Sequence, residues 1–94
     1  IRLDTRTRRA TALGEELRLT GTEYEVLRCL LQSQGDVVSR ERMSKEALGR
    51  RLLPYDRSID THISNLRGKL EKAGVSDPSI ISQRGVGYRL VPME

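Results

Sequence analysis

The chain contains no Trp and no Phe, only three Tyr, and a single Cys among its 94 residues. With so few aromatic side chains, Leu, Ile and Val must fill the core. A domain of this length buries only roughly two-thirds of the surface its unfolded chain exposes, so the packing has to be efficient. Cys29 alone can neither close an internal disulfide nor form a zinc site. Its neighbours in "LRCLL" are apolar, which points to a small buried hydrophobe rather than a reactive thiol. No apolar run approaches the ~18 residues of a membrane span and no secretory h-region is present, so a reducing, cytoplasmic setting is expected. The first residue is Ile rather than Met, and the expectation is one domain, residues 1–94, cut from something longer.

What is abundant is positive charge, unevenly placed. The formal net charge is +4, with +3 on residues 1–14, −3 on 15–36, +4 on 37–74 and zero on 75–94. Clustered excess cation on a small domain points to a polyanionic partner.

The periodicity predicts an α+β chain. "IRLDTRTRRATALGEELRLT" reads as short alternating strands around turn residues, an antiparallel meander. Thr20 and Glu23 then form a capping-box signature, and Tyr24, Leu27, Leu30 and Leu31 recur at helical spacing up to Gly35. Ser39 is a good N-cap for a second helix closed by Gly49, with Val38 and Met43 spaced as a hydrophobic staple. After a loop at "RRLLPYD", Asp56 can cap a third helix over about 57–72, terminated by Gly74. The tail reads as a hairpin with strands at Ile80–Arg84 and Tyr88–Val91, Gly85 and Gly87 supplying positive φ at the reversal.

The third helix carries the most information. At ~100° per residue, Ile59, Ile63, Leu66 and Leu70 fall within roughly 60° of arc and form a core-facing stripe. Opposite lie Arg57, Thr61, Ser64, Asn65, Gly68 and Lys72; Asp60 and Arg67 flank the stripe on one side, His62 and Lys69 on the other. Solubility alone would favour long, strongly helix-forming side chains; Thr, Ser, Asn and Gly are worse formers. Short polar groups and a bare backbone let another surface come close, and a DNA groove fits, with Asn, Ser and Thr reaching base edges and Arg or His holding phosphate. Arg84, beside the glycine turn, is a candidate minor-groove probe. Its alternative role is to brace the hairpin by pairing with Asp60.

The combination of meander, three helices and glycine hairpin resembles the winged-helix effector domains of OmpR/PhoB-type response regulators. The resemblance covers the whole chain, in "LTGTEYEVLRCLL", "GDVVSRERM", "DRSIDTHISNLRGKL" and most strongly the wing-like "QRGVGYRL". It implies a winged helix-turn-helix, a DNA-binding effector domain of a bacterial two-component system, with the third helix in the major groove and a wing over 80–91 on the minor groove and backbone. Arg57, His62 and Arg67 match positions that grip phosphate or enter the major groove, and Ser58, Asp60 and Thr61 match positions nearer the bases. Ser64 and Asn65 stand where more basic members carry arginine, and Asn65 is better suited to adenine. Arg84 matches the minor-groove arginine of the wing, Ser82 and Tyr88 its backbone contacts. The loop of Arg50, Arg51, Leu52, Leu53, Pro54 and Tyr55 matches the segment through which such activators touch RNA polymerase. The resemblance also implies a phospho-accepting receiver domain addressed by a sensor histidine kinase. It implies a dimer on double-stranded DNA, with the isolated domain a monomer. No cofactor is implied.

Two other classes compete. Ser58, Asp60 and His62 look superficially like triad chemistry, but residues two apart on a helix point about 200° away from each other, so Asp60 cannot orient His62. "RGVGYR" precedes no helix and cannot act as a phosphate-cradling loop. An enzyme is therefore not expected. A winged-helix protein-interaction module without specific DNA readout is the alternative, the acidic first helix being its docking face.

Overall fold

The computed structural model describes residues 1–75 and 80–91. Of the expected hairpin tail, 77–79 and 92–94 lie outside them. The N-terminal meander forms as expected: β1 (Arg2–Asp4), β2 (Arg9–Ala12) and β3 (Glu15–Leu17) pair antiparallel in sequence order. Ala10, Ala12 and Leu17 bury their side chains against the helices, and Leu13, in the turn, stays exposed with φ 51°.

Helix α1 (Gly21–Gln32) starts with a complete capping box. The Glu23 amide donates to Thr20 Oγ1 at 3.1 Å and the Thr20 amide to Glu23 Oε1 at 2.9 Å, so two otherwise unpaired donors are satisfied. Its buried face is wider than the predicted stripe, because Val26 and Cys29 join Tyr24, Leu27 and Leu30, while Leu31 lies at the margin. Cys29 is a core residue, as expected. Burial, reinforced by its bond to Glu46, pushes the thiol up to about 11, so it is not a thiolate at neutral pH.

Val38 and Ser39 form a short strand, β4, before α2 (Arg40–Met43), which Ser39 caps through the Arg42 amide. The helix continues as one turn of π-helix over Ser44–Leu48 and stops at Gly49, with φ 67°. Helix α3 (Ser58–Lys72) buries Ile59, Ile63, Leu66 and Leu70 to 1% exposure or less, each worth roughly 1.5–3 kcal/mol. Its C-terminus is a Schellman motif: the Val75 amide reaches the Leu70 carbonyl, the Gly74 amide reaches Glu71, and Val75 is buried. At its N-terminus the cap position belongs to Arg57 rather than Asp56. The Asp56 carboxylate serves the helix from one residue earlier, accepting the Ser58 amide at 2.9 Å.

The hairpin strands are β5 (Ile80–Gln83) and β6 (Gly87–Leu90), and β6 lies between β5 and β4 in a second three-stranded sheet. Arg84 therefore sits in the turn and not in the strand. The Val86 amide donates to the Gln83 carbonyl at 3.0 Å, and Gly85 has φ 76°, the positive value a type II turn requires at that position. Gly87 was expected to need positive φ for the same reversal, but it is strand residue, paired with Ser39 and Gln83. Glycine is required there because a Cβ would stand 2.0 Å from the Val38 carbonyl oxygen. Among the described residues no helix is long and apolar enough to cross a membrane.

Candidate nucleic-acid interface

With the apolar stripe of α3 turned into the core, Arg57, Thr61, Ser64 and Asn65 are exposed. Thr61 turns its hydroxyl back to the Arg57 carbonyl at 3.1 Å, a local bond to the preceding turn. His62 is half-buried at the margin of this face. Gly68 has open space where a Cβ would stand, so the core does not demand glycine there.

The wing stands beside the start of α3, separated from it by a groove of about 580 Å³. Arg40, Arg57 and Arg84 line this groove, together with Leu52 and Tyr55 of the preceding loop. Arg84 is exposed, and among the described residues no carboxylate pairs with it. The expected alternative, a brace from Arg84 to Asp60, is not formed. Asp60 is bound instead by Arg40, whose Nε and Nη2 donate to its two oxygens at 3.2 and 2.7 Å, and by the Tyr88 hydroxyl.

That binding changes what four of the expected contact residues can do. Burial pushes the Asp60 carboxyl up, but the Tyr88 hydroxyl and the Arg40 guanidinium outweigh it and hold it below the usual carboxylate range. Burial and the neighbouring carboxylate push the Tyr88 phenol up. Tyr88 is 8% exposed, with its hydroxyl donated inward. Arg67 lies over the Tyr88 ring, 5.6 Å from its centroid, and donates to the Ile80 carbonyl and to Ser82 Oγ. Asp60, Arg67, Ser82 and Tyr88 thus form one network tying α3 to the wing. Arg57, Thr61, Ser64, Asn65 and Arg84 face solvent.

The loop before α3 is tied at its base and apolar at its tip. The buried Ser44 hydroxyl donates to the Arg50 carbonyl at 2.8 Å, and Arg50 itself reaches Asp56 at 2.9 Å and Ser58 Oγ at 2.9 Å. Ser58 is therefore engaged by the loop and only half-exposed. The Ser58 amide and hydroxyl hold the Asp56 carboxyl below its usual range. Pro54 keeps the segment out of helix, Leu53 is 56% exposed, and Tyr55 is 99% exposed with φ 63°. Arg51 and Pro54 are also exposed, and Leu52 is half-buried. Arg40 is the residue that sequence reasoning missed. It stands in "SRERM" as one cation among several, and only its distance to Asp60, 20 residues on, marks it out.

Comparison with known proteins places this geometry. Residues 14–90 match the family model described as "Transcriptional regulatory protein, C terminal". The chain is 53% identical over 78 residues to the transcriptional regulatory protein CpxR of Escherichia coli K12, covering 83% of this chain and 34% of that protein. It thus spans about a third of the length of the curated relatives it matches. The crystal structure of the E. coli CpxR DNA-binding domain superposes with a TM-score of 0.85 at 46% identity, covering 94% of this chain and 86% of that one. The RstA DNA-binding domain of Klebsiella pneumoniae, solved in complex with the RstA box, matches with a TM-score of 0.85 at 28% identity over 97% of this chain and 90% of that one.

Proposed function

The chain belongs to the transcriptional regulatory protein C-terminal family, the winged-helix domains of OmpR/PhoB-type response regulators, and on that premise we propose that it binds double-stranded DNA sequence-specifically to control transcription. Helix α3 enters the major groove and the wing meets the minor groove and backbone. The observation that carries this reading is the exposed set of short polar side chains at Thr61, Ser64 and Asn65, beside a groove lined by Arg57 and Arg84, two cations that pair with no carboxylate among the described residues. Asn65 can read adenine through two hydrogen bonds, and Arg57 and His62 hold phosphate. Ser58, Asp60, Arg67, Ser82 and Tyr88 support the interface from behind, as their occupied polar atoms suit them to positioning.

Transcriptional activation needs a protein contact as well. The tied loop presenting Leu53 and Tyr55 supports the reading that Arg50–Tyr55 touches RNA polymerase. In the whole protein a receiver domain, phosphorylated by a sensor histidine kinase, controls a dimer on DNA, and this domain alone is monomeric and works in the cytoplasm. It is a binding module with no catalytic step.

Titration of the chain on random and selected duplexes across a salt series tests the proposal. Sequence-specific binding requires a selected sequence to outcompete random duplex, with affinity falling by ~0.9 log units per log unit of salt for each phosphate neutralised. Salt-insensitive binding, or equal affinity for every duplex, leaves the protein-interaction module as the better account.

A further inference from the structure

Four of the polar groups expected on DNA, those of Asp60, Arg67, Ser82 and Tyr88, are tied into one network, and their arrangement has a mechanical meaning. Asp60 is on the first turn of α3, Tyr88 on the central strand of the wing sheet, and Arg40 at the start of α2. One carboxylate joins all three elements, and Arg40 adds a bond to the Asp56 carbonyl at 2.7 Å. About two turns further along α3, Arg67 grips the edge strand of the wing at Ile80 and Ser82. The wing is thus held at two points along the helix, while its tip from Arg84 to Val86 is exposed and, among the described residues, held only by its own turn. Two separated points of attachment fix an angle, where one would allow rotation.

We propose that Asp60 and Arg67 are positioning residues that set the spacing between the base-reading face of α3 and the Arg84 tip, and so set which spacing of major-groove site and minor-groove flank the domain accepts. The inference rests on the DNA-binding reading above, and it assigns Asp60 and Arg67 a role through the wing instead of direct contact with base or phosphate. Tyr88 transmits the Asp60 constraint to β6, and the Arg67 guanidinium also covers a carbonyl of the free edge strand, so neither side chain can be lost without loosening the same joint. A group held this way contributes to recognition by preorganisation, since a wing already in place spends less ordering entropy on binding.

Two measurements test it. The first needs no DNA: spin labels at Ser64→Cys and Val86→Cys, in a Cys29→Ala background, report the distance distribution between α3 and the wing tip. A narrow distribution that broadens in Asp60→Asn and in Tyr88→Phe is expected; Tyr88→Phe keeps the ring beneath Arg67 and loses only the hydroxyl. Unchanged widths in both variants overturn the proposal. The second uses duplexes selected by the wild-type chain from a random pool, remade with the A/T-rich flank moved by one or two base pairs. Wild type should lose roughly ten-fold in affinity on the shifted duplexes, about the cost of one mismatched pair, and Tyr88→Phe should lose clearly less. Equal losses in both proteins overturn the spacing role. If the wild-type chain enriches no sequence at all, the DNA reading fails, and the label distances still report separately whether the joint exists.

Discussion

Glu23 and Lys69, 46 residues apart in sequence, form an ion pair whose carboxylate is almost fully enclosed, joining the first turn of α1 to the end of α3. Burial pushes the Glu23 carboxyl up, but the Lys69 ammonium and the Thr20 amide outweigh it and hold it below its ordinary value of 4.5. A carboxyl depressed in the folded state adds stability above its unfolded value, and that stability is lost as pH falls through the folded value. The acid limb of the melting curve should therefore lie in the carboxylate range below 4.5 and become shallower in Glu23→Gln. Lys69→Met, which leaves the enclosed Glu23 carboxylate with the Thr20 amide but without its counter-charge, should cost on the order of 1–3 kcal/mol at neutral pH. Thermal melts of both variants across pH check the two statements, and a Lys69→Met melt equal to wild type would show the pair to be idle.

Two glycines should respond in opposite directions. Gly87→Ala places a methyl 2.0 Å from the Val38 carbonyl oxygen, so β4 and β6 must part. A loss of roughly 1–3 kcal/mol or more is expected from such overpacking. Gly68→Ala meets open space inside a helix and should stabilise by about 0.5–1 kcal/mol. If Gly68 is there to let DNA approach, the same variant should bind its selected duplex less tightly while melting higher. Chemical denaturation and duplex titration on one pair of samples measure both effects.

Asn65 is exposed on the face of α3 opposite the buried stripe, the face proposed to read bases. Asn65→Ala should relax discrimination at one base pair, costing about 1–3 kcal/mol on the preferred duplex and little on scrambled ones. Competition binding with single-substituted duplexes locates the pair; equal losses on both duplexes would remove Asn65 from the reading set.

Arg84, exposed on the wing turn and paired with no carboxylate among the described residues, should act on DNA and not on the fold. Arg84→Ala should melt within about 0.5 kcal/mol of wild type. It should also lose affinity most where the flank is A/T-rich and the minor groove narrow, and reduce the salt slope by about one phosphate equivalent. A salt series on two duplexes differing only in the flank makes the comparison.

Several features were legible from the chain because their causes are local. The Thr20–Glu23 box, the Ser39 cap and the stripe of Ile59, Ile63, Leu66 and Leu70 depend on residues three or four apart, and a helix has only one way to satisfy them. The exposed face of α3 followed at once, since whatever lies opposite a buried stripe faces outward. The meander and the glycine hairpin were readable from alternation and turn chemistry.

What the tertiary structure alone decided are the partners of groups that carry no local address. Nothing in "SRERM" singles out Arg40 for Asp60, and nothing in "RGVGYR" says that Gly87 is needed for a neighbouring backbone while Gly85 is needed for its φ. The pairing of β4 with β6, Val38 with Tyr88 and Ser39 with Gly87, created both conditions. Asp60, Arg67, Ser82 and Tyr88 looked like surface contacts because a helical wheel knows only its own helix. Once the wing packed beside α3, the polar groups of Asp60, Arg67 and Tyr88 were partly out of water and found partners, Ser82 among them, since a buried polar group without a partner costs more than the bond it could have made.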